Sequence, residues 1–448
     1  MPKNQAIAQL IRNACAERGW GPTDLARAAG QAESGDPERV ERQYARRWLT
    51  GERTPAYWWP YLAQVLDLDI RVIGVPDTPP PANVGTDTVA SALELGRSDV
   101  DRRNFVTASS GYALAALGLP DPDSITRRTK NPPAGAVRVG KGEVAAVQRM
   151  VISLGDSAAE LGDSAAELGG GHARHLAVRY LTDDVAPWLN GSFTQATGRA
   201  LFAAASQLMH LAGWMAQDEG DTPELRGLAQ GYYAHAFRLA AEAGDPELSA
   251  TALRGLAVQC VDLGFRAEAV QLGEACVEHG KNLDNARAIA YYEATLATAA
   301  AQDDDRHLAT KHLAASEAAI GRPAAATPGD SWAAHYSPGR WAHESGMILS
   351  RLGDLPAAEE HLHLALDIHG LDRRRTRAIV HADLAGVRLR RGNLDGALTS
   401  WDTFLDCADG IRSIKVQAAL RDMRVRLRRF EGMSEAQQLR QTAARLLT

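Results

Sequence analysis

Five arginines and one glutamine lie close together in the segment DPERVERQYARRWLTGERTP, which runs from Asp36 to Pro55. At about 100° per residue, one helical face carries Arg39, Gln43, Arg46, Arg47 and Thr50. The opposite face carries Ala45, Trp48 and Leu49. Arginine can form two hydrogen bonds with a guanine edge, and glutamine can do the same with adenine. The polar face therefore has the chemistry to read duplex nucleic acid, while the apolar face packs on a core.

Capping signals predict the helices that position this face. Asp36 is suited to cap a helix with Pro37 in its first turn, and Gly51 is suited to end it. Upstream, TDLARAAG from Thr23 to Gly30 has a capping residue, a small-residue face and a terminal glycine, which predicts a compact partner helix. Two helices in this order indicate a helix-turn-helix.

The run Thr23 to Gly30, with Trp48-Leu49-Thr50-Gly51 and Arg53-Thr54-Pro55 after it, resembles the lambda-repressor-like, Xre-type DNA-binding domain. The resemblance covers residues 1–75 and implies that the second helix reads the major groove of an operator. The DNA-binding residues it implies are Arg39, Arg42, Gln43, Arg46 and Arg47, with Arg53 on phosphate. The connection from Gln31 to Gly35 is longer than the family's tight turn, so the start of the recognition helix stays open.

Charge limits how the chain can bind DNA. The 448 residues carry a formal net charge of -6, and the sequence pI is about 6.1. This balance argues against a protein that coats nucleic acid non-specifically, so any DNA contact must be local. Between residues 38 and 53 there are five arginines and three glutamates, which makes even this segment only mildly basic.

The cysteines point to a reducing compartment. Cys15, Cys260, Cys276 and Cys407 are scattered, with no C-x-x-C spacing, so the sequence indicates neither a zinc site nor a disulfide framework. The amphipathic N-terminus is interrupted by charge and is expected to be the first core helix, over residues 4–18, not a signal peptide. No apolar run approaches a membrane span. We expect a cytoplasmic protein with no membrane partner.

Composition shifts divide the chain into three parts: a helix-turn-helix domain over 1–75, a linker over 76–140, and a repeat domain over 141–448. The linker contains the proline-rich stretch 75–88, an amphipathic helix expected over 101–120 to join the two domains, and a second polar break over 120–136.

Turn signals recur through the last part of the chain. They fall at Gly220, Gly264, Asp303, Gly353 and Gly392, with intervals of 44, 39, 50 and 39 residues by subtraction. Such a period, with alanine-rich helices on either side of each turn, predicts an α-solenoid. The individual units resemble slightly lengthened tetratricopeptide repeats. The predicted fold class is therefore all-α, with a helix-turn-helix domain followed by a solenoid of helix pairs.

Large side chains stand out on the first helices of successive pairs: His210, Trp214, Arg254, Tyr291, Tyr292, Trp341 and His343. These aromatics and this cation exceed what an alanine-based stack needs for packing, and they suit a ligand with apolar groups and an acidic end. The alternative that they are ordinary core and rim residues stays open.

Two motifs suggest catalytic or metal chemistry, and both fall short. The loop GAVRVGKG at 135–142 nearly matches a Walker A sequence, but Gly142 lacks the hydroxyl that binds magnesium and no strand precedes the loop. His361, His363 and His369 lie at spacings that point to different sides of a helix. No catalytic residue, metal site or cofactor is predicted, and a nucleotide hydrolase ranks third among the possible functions.

The layout resembles the actinobacterial class of transcriptional regulators that join an Xre-type domain to a repeat domain. This resemblance implies a homodimer formed through the repeats, an operator of duplex DNA, and a small molecule or peptide as effector. The main alternative is a repeat scaffold that binds proteins and does not bind DNA.

Overall fold

The computed structural model describes residues 3–34, 37, 40–52, 58–66, 68, 88–101, 117, 124–133, 135–164, 170–220, 222–323, 331–370, 373–411 and 413–447. Regular structure in these ranges is helical, and their strand-like pairing is a single isolated bridge between Arg138 and Ser192. The all-α class is confirmed. Internal contacts group the chain into a first unit, Met1–Gly85 with Ser110–Gly118, and a second unit, Thr86–Ser109 with Leu119–Thr448.

The described part of the first unit contains four short helices: α1 Lys3–Glu17, α2 Pro22–Ser34, α3 Arg42–Thr50 and α4 Trp59–Leu66. Each sends a narrow apolar stripe inward, as amphipathic helices do. The buried core includes Ile11, Cys15, Leu25, Ala29, Ala45, Trp48, Leu62 and Leu66. Trp48 is 2% exposed and supplies the largest of these side chains, so it anchors α3 to the other three helices.

The predicted recognition helix begins later than Pro37, which is one of the starts that the long connection leaves open. Helix α3 begins at Arg42, with Glu41 extended at its N-cap, whereas Pro37 lies in a turn. Val40 explains the later start, because its side chain is 7% exposed in the core and the chain must reach that position before it turns into the helix. Arg39, Arg53 and the expected cap Asp36 lie outside the described residues. The predicted end is confirmed, since Gly51 is left-handed at φ 78°.

The predicted end of the partner helix is wrong. Helix α2 continues past Gly30 to Ser34. Glycine stops a helix by adopting a left-handed conformation, and Gly30 is not among the glycines with positive φ. Gln31 and Ala32 are good helix formers, so a single glycine does not interrupt the helix.

The second unit consists of stacked helix pairs preceded by additional helices. The additional ones are α5 Thr88–Asp101, α6 Ser124–Lys130, α7 Lys141–Ser164, α8 Gly170–Tyr180 and α9 Ala186–Leu189, with a π-helical turn over Leu181–Val185. The pairs begin with α10 Gln195–Glu219, α11 Pro223–Ala243, α12 Pro246–Leu263, α13 Arg266–Gly280, α14 Ala286–Gln302 and α15 Arg306–Ile320. They continue with α16 Pro338–Leu352, α17 Leu355–Ile368, α18 Arg374–Arg390, α19 Leu394–Ala408, α20 Ile414–Arg426 and α21 Ser434–Leu446, and 3-10 turns lie at Trp332–His335 and Leu427–Phe430.

Each predicted turn falls after the first helix of a pair. Gly264 and Gly353 are left-handed, with φ of 78° and 87°, and they end α12 and α16. The first helices of neighbouring pairs contact one another, from α10 through α12, α14, α16 and α18 to α20. Alanines that are completely buried along these helices allow the close approach. The consecutive stacked pairs are therefore confirmed.

The predicted cap-then-proline starts are also confirmed. The Thr222 hydroxyl accepts from Leu225 N–H at 3.3 Å at the start of α11, and the Asp245 carboxylate accepts from Leu248 N–H at 2.9 Å at the start of α12. Each cap satisfies a backbone donor that the first turn leaves unpaired.

Sequence patterns missed two helices in the predicted linker. Helix α5 packs against α11 and α8, and α6 packs against α10 within the stretch expected to be a polar break. Ile125 gives the reason for α6, because its side chain is 3% exposed and docks the short helix despite the prolines on both sides. The amphipathic helix expected over 101–120 lies outside the described residues, apart from Asp101 in α5 and Leu117.

A buried ionic network holds α5 in place. The Arg174 guanidinium of α8 pairs with both carboxylate oxygens of Asp99 in α5 and with Glu219 of α10, the latter at 2.6 Å. The Tyr232 hydroxyl donates to Asp99 at 2.6 Å. Arg174 and Asp99 are 2% exposed in their side chains, so each charge depends on the other for solvation.

Candidate functional sites

The polar face of α3 is exposed along its length. Arg42, Gln43, Arg46 and Thr50 are exposed and Arg47 is partly buried, whereas Ala45 and Trp48 are buried on the opposite side. The Trp48 and Trp58 rings lie 6.0 Å apart, which fixes the buried side against the start of α4. The helix therefore presents four of the six predicted DNA-binding residues together on a rigid support.

Arg12 of α1 orients the end of α3. Its guanidinium donates to the Leu49 carbonyl and, at 2.6 Å, to the Gln9 side chain. The last carbonyls of a helix have no donor inside the helix and carry partial negative charge, so a cation there stabilises it. Arg12 thus serves the fold and is not one of the outward cations.

The outward cations of α3 are not engaged by the described part of the chain. Among those residues, no ion pair or side-chain hydrogen bond occupies Arg42, Arg46 or Arg47. The Gln43 amide donates to the Glu41 carboxylate, which keeps one acidic group beside the face. Three guanidinium groups thus retain their hydrogen-bonding capacity for a partner outside the chain.

The second candidate site centres on Tyr291 of α14. The Arg254 guanidinium carbon lies 3.7 Å from the Tyr291 ring centroid, and that of Arg340 lies at 4.8 Å. The Tyr336 ring is 4.6 Å from the Tyr291 ring. Cation–π contacts of this kind are worth about 0.5–2 kcal/mol each. Helices α12, α14 and α16 therefore join in one aromatic and cationic cluster.

Glu344 connects the two arginines of this cluster. It accepts from Arg340 Nε at 3.2 Å and from the Tyr336 hydroxyl at 2.7 Å, and Arg254 Nη2 lies 3.6 Å away. Burial opposes ionisation of the carboxyl group, but Arg340 and Arg254 outweigh it and hold the pKa of Glu344 below its ordinary value. The two guanidiniums and one carboxylate leave one positive charge uncompensated.

No protein-family model matches the chain, and no curated protein matches it significantly.

The other predicted ligand residues serve different contacts. His210 lies 5.1 Å from the Tyr233 ring, and burial, assisted by Arg254, lowers its pKa to about 3. Tyr292 is fully buried and bonds the Thr251 hydroxyl at 2.8 Å, as a core residue does. His343 pairs with Asp383 at 2.7 Å. The structure brings Arg254 and Tyr291 together; the Tyr292 ring lies 6.3 Å from the Tyr291 ring, with its hydroxyl bonded in the core, whereas His210 and His343 make their contacts with other residues.

The two tryptophans of the predicted set also lie apart from that cluster's contacts. Trp341 is 8% exposed and its ring lies 5.4 Å from His361, while Trp214 is partly buried on α10. Sequence reasoning missed Tyr336, Arg340 and Glu344. The spacing of Arg340 and Glu344, four residues apart in one helix, is a readable signal for an ion pair. Nothing local marks Tyr336.

In the loop that resembles a Walker A sequence, two backbone N–H groups are hydrogen-bonded within the chain. Val139 N–H donates to the Ser192 carbonyl at 2.9 Å, and Gly140 N–H donates to the Glu143 carboxylate at 2.8 Å. A phosphate cradle needs such N–H groups to point at the ligand. These two N–H groups already have acceptors within the chain and are not free to bind a phosphate.

Several expectations concern metal, membrane and redox chemistry. Within the described ranges, no three His, Cys, Asp or Glu side chains are grouped as metal ligands. No helix in the same ranges is long and apolar enough to cross a bilayer. Cys15, Cys260 and Cys276 are buried free thiols, and burial raises the pKa of each, so their reactivity is low.

Proposed function

We propose that this protein is a sequence-specific DNA-binding transcriptional regulator, with α3 as its recognition helix. The observation that carries the proposal is the outward face of Arg42, Arg46 and Arg47 opposite the buried Trp48, with no partner for these arginines among the described residues. The resemblance of residues 1–75 to Xre-type domains supports it.

The dimensions of α3 agree with this role. Nine residues at a rise of about 1.5 Å give a helix roughly 14 Å long, and the major groove of B-DNA is about 12 Å wide. Arg46 and Gln43 are exposed three residues apart on the same side, so both can reach base edges. Glu41 and Glu52 are also exposed, and their repulsion from phosphates limits non-specific attachment.

We further propose a homodimer formed through the helix pairs. One short helix offers few base contacts, and paired half-sites about 10–10.5 bp apart, or a multiple of that spacing, double their number. The repeat array supplies the large scaffold that such pairing requires.

The Tyr291 cluster supports an effector role for the repeats. Arg340 is half exposed, at 50% of its side chain, although Glu344 already engages it. A small molecule or peptide with an acidic end and an apolar group would meet the remaining positive charge and the tyrosine rings. Such a ligand changes DNA affinity only if it binds two states of the protein unequally.

A selection experiment tests the DNA-binding proposal. Full-length protein is incubated with a pool of random duplexes, bound DNA is amplified and sequenced, and the Arg42→Ala/Gln43→Ala/Arg46→Ala/Arg47→Ala variant is treated in parallel. We expect a reproducible motif with wild type and none with the variant, while Arg18→Ala, in the turn just after α1, retains the motif. Failure of wild type to enrich any motif would favour the protein-binding scaffold.

A further inference from the structure

A cleft of about 240 Å³ lies along the C-terminal halves of α14, α16, α18 and α20. Three arginines and two aspartates line it: Arg351, Arg390, Arg426, Asp383 and Asp422. Met347, which is 39% exposed, with Ile348 and Val387, forms an apolar wall. None of the residues assigned above to DNA or effector binding lines this cleft.

The arginines use only part of their hydrogen-bonding capacity on the fold. Arg390 Nη1 donates to the Ser350 carbonyl at 2.9 Å and to its hydroxyl at 2.8 Å, while Nε and Nη2 donate to no described protein group. Arg426 Nε donates to Asp422 at 2.6 Å, and its two terminal nitrogens are likewise unused among the described residues. Fixed guanidiniums with spare donors are suited to an oxyanion.

The carboxylates of the cleft are already engaged. Asp422 accepts from Arg426, and Asp383 accepts from His343 Nε2 at 2.7 Å. Arg351 also pairs with Asp304, which lies 3.4 Å away and outside the cleft lining. Arg390 is therefore the lining guanidinium with no carboxylate partner among the described residues, and its charge favours an anion over a cation.

Gly386 leaves room beside Arg426. A Cβ at position 386 would lie 3.7 Å from Arg426 Nη1, in ordinary contact, so an alanine would fit but would fill the space next to the unused donor.

The cleft is smaller than the roughly 300–1,000 Å³ of typical ligand pockets, which limits the ligand to a small metabolite.

We propose that this cleft binds a small organic anion through Arg426 and Arg390, with a short aliphatic group against Met347. The anionic group is a carboxylate or a phosphate, since both accept paired hydrogen bonds from guanidinium. The site is independent of the proposed DNA contacts, so it can fail or succeed whatever α3 does.

Methionine methyl NMR of the full chain tests the proposal. The seven methionines are labelled, and Met347→Leu identifies the Met347 signal. N-acetyl-leucine is titrated as the carboxylate, isobutyl phosphate as the phosphate, and N-acetyl-leucine methylamide as the uncharged control. We expect at least one anion to shift the Met347 signal and the amide to leave it unchanged; the anion that binds more tightly identifies the group.

Variants locate the binding group. Arg426→Ala should weaken anion binding about 10- to 100-fold, the range for charge-assisted hydrogen bonds. Arg421→Ala, which removes an exposed arginine from the same helix outside the cleft, should leave binding unchanged. Gly386→Ala should weaken binding without lowering the melting temperature, because alanine favours a helix over glycine.

The proposal is overturned if neither anion shifts Met347 up to about 10 mM, ten times a Kd of about 1 mM. It is equally overturned if the amide binds as well as the anions, or if Arg426→Ala and Arg421→Ala bind alike. Gly386→Ala separates damage to the site from damage to the fold, since it keeps every charged group.

Discussion

Arginines have different roles in the two units of this protein. On α3 of the first unit, Arg42, Arg46 and Arg47 have no partner among the described residues, and two of them are exposed. In the second unit, Arg174 is buried against two carboxylates. An arginine that is paired with carboxylates therefore stabilises the fold, whereas an arginine without such a partner is available to another molecule.

The difference shows how composition can mislead. A net charge of -6 suggests little affinity for nucleic acid, yet α3 concentrates positive charge on one short face. In the repeats, arginine is frequent but mostly committed: Arg388 bonds Glu359 at 2.8 Å, and Arg377 donates to the Leu366 carbonyl at 2.8 Å. The number of charges cannot separate these roles, whereas the partners of each charge can.

The largest expected effect comes from removing Arg174, the arginine that is buried against two carboxylates. Arg174→Ala leaves Asp99 buried without its partner, so we expect a loss of about 3–5 kcal/mol in the free energy of unfolding of the second unit. Urea denaturation followed by circular dichroism measures it. Arg179→Ala, on the same helix but exposed, is the control and should cost under about 0.5 kcal/mol. Equal losses in both variants would contradict the role given to the buried network.

Acid should weaken the second unit through histidines that its fold keeps neutral. Burial lowers the pKa of His210 and His235 to about 3, and that of His381 to about 4, whereas an unfolded histidine titrates near 6.5. Between those pH values these histidines are protonated in the unfolded state but stay neutral in the folded state. The free energy of unfolding therefore falls as pH falls from about 6.5 towards 4.

Each such histidine contributes a slope of at most about 1.4 kcal/mol per pH unit in that window. Denaturation of wild type and His210→Phe at several pH values measures the contribution of one of them. We expect a shallower slope in the variant. Parallel pH profiles for the two proteins would show that His210 titrates alike in both states.

Single substitutions on α3 test the arginines that have no partner among the described residues. Arg46→Ala should cost about 1–3 kcal/mol in discrimination between the selected duplex and one mutated at the contacted base pair. Arg47→Ala, on a partly buried residue, should cost less. Competition binding with both duplexes measures the discrimination, and thermal melting should show both variants as stable as wild type. If Arg46→Ala instead weakened binding to both duplexes by the same factor, Arg46 would contact phosphate and not a base.

The smallest expected effect concerns a turn. Gly353 has a φ of 87°, which an alanine adopts at a cost of about 1–2 kcal/mol, so Gly353→Ala should lower stability by that amount. Gly142→Ala, in the first turn of α7 with open space around it and no positive φ, is the matched control and should be neutral or stabilising. A neutral Gly353→Ala would mean that the turn adapts to a different conformation.

Local patterns predict what local chemistry controls. The turns at Gly264 and Gly353, the capped starts at Thr222 and Asp245, and the buried Trp48 all follow from spacing within one or two turns of helix. The start of α3 could not be fixed from the sequence, because it depends on the burial of Val40 in a core that other helices form.

Contacts between distant segments are beyond such patterns. Asp99 and Arg174 meet across 75 positions, so nothing near α5 in the sequence distinguishes it from a linker. Of the predicted ligand residues, Arg254 and Tyr291 do lie together on neighbouring helices, but Tyr336 and Glu344 complete their cluster only once α16 is stacked on α14. The spacing of residues in the sequence predicts which helix carries a residue. It does not predict which residues of different helices come into contact.

The most direct test of the central claim is DNA affinity measured by fluorescence anisotropy over a series of salt concentrations, with the selected duplex and full-length protein. Removal of Arg42, Gln43, Arg46 and Arg47 together should abolish the preference for that duplex. It should also flatten the dependence of log Kd on log salt by about 0.9 for each phosphate that the variant no longer neutralises. If the quadruple alanine variant binds the selected duplex as tightly, and with the same salt dependence, as wild type, α3 is not the recognition helix.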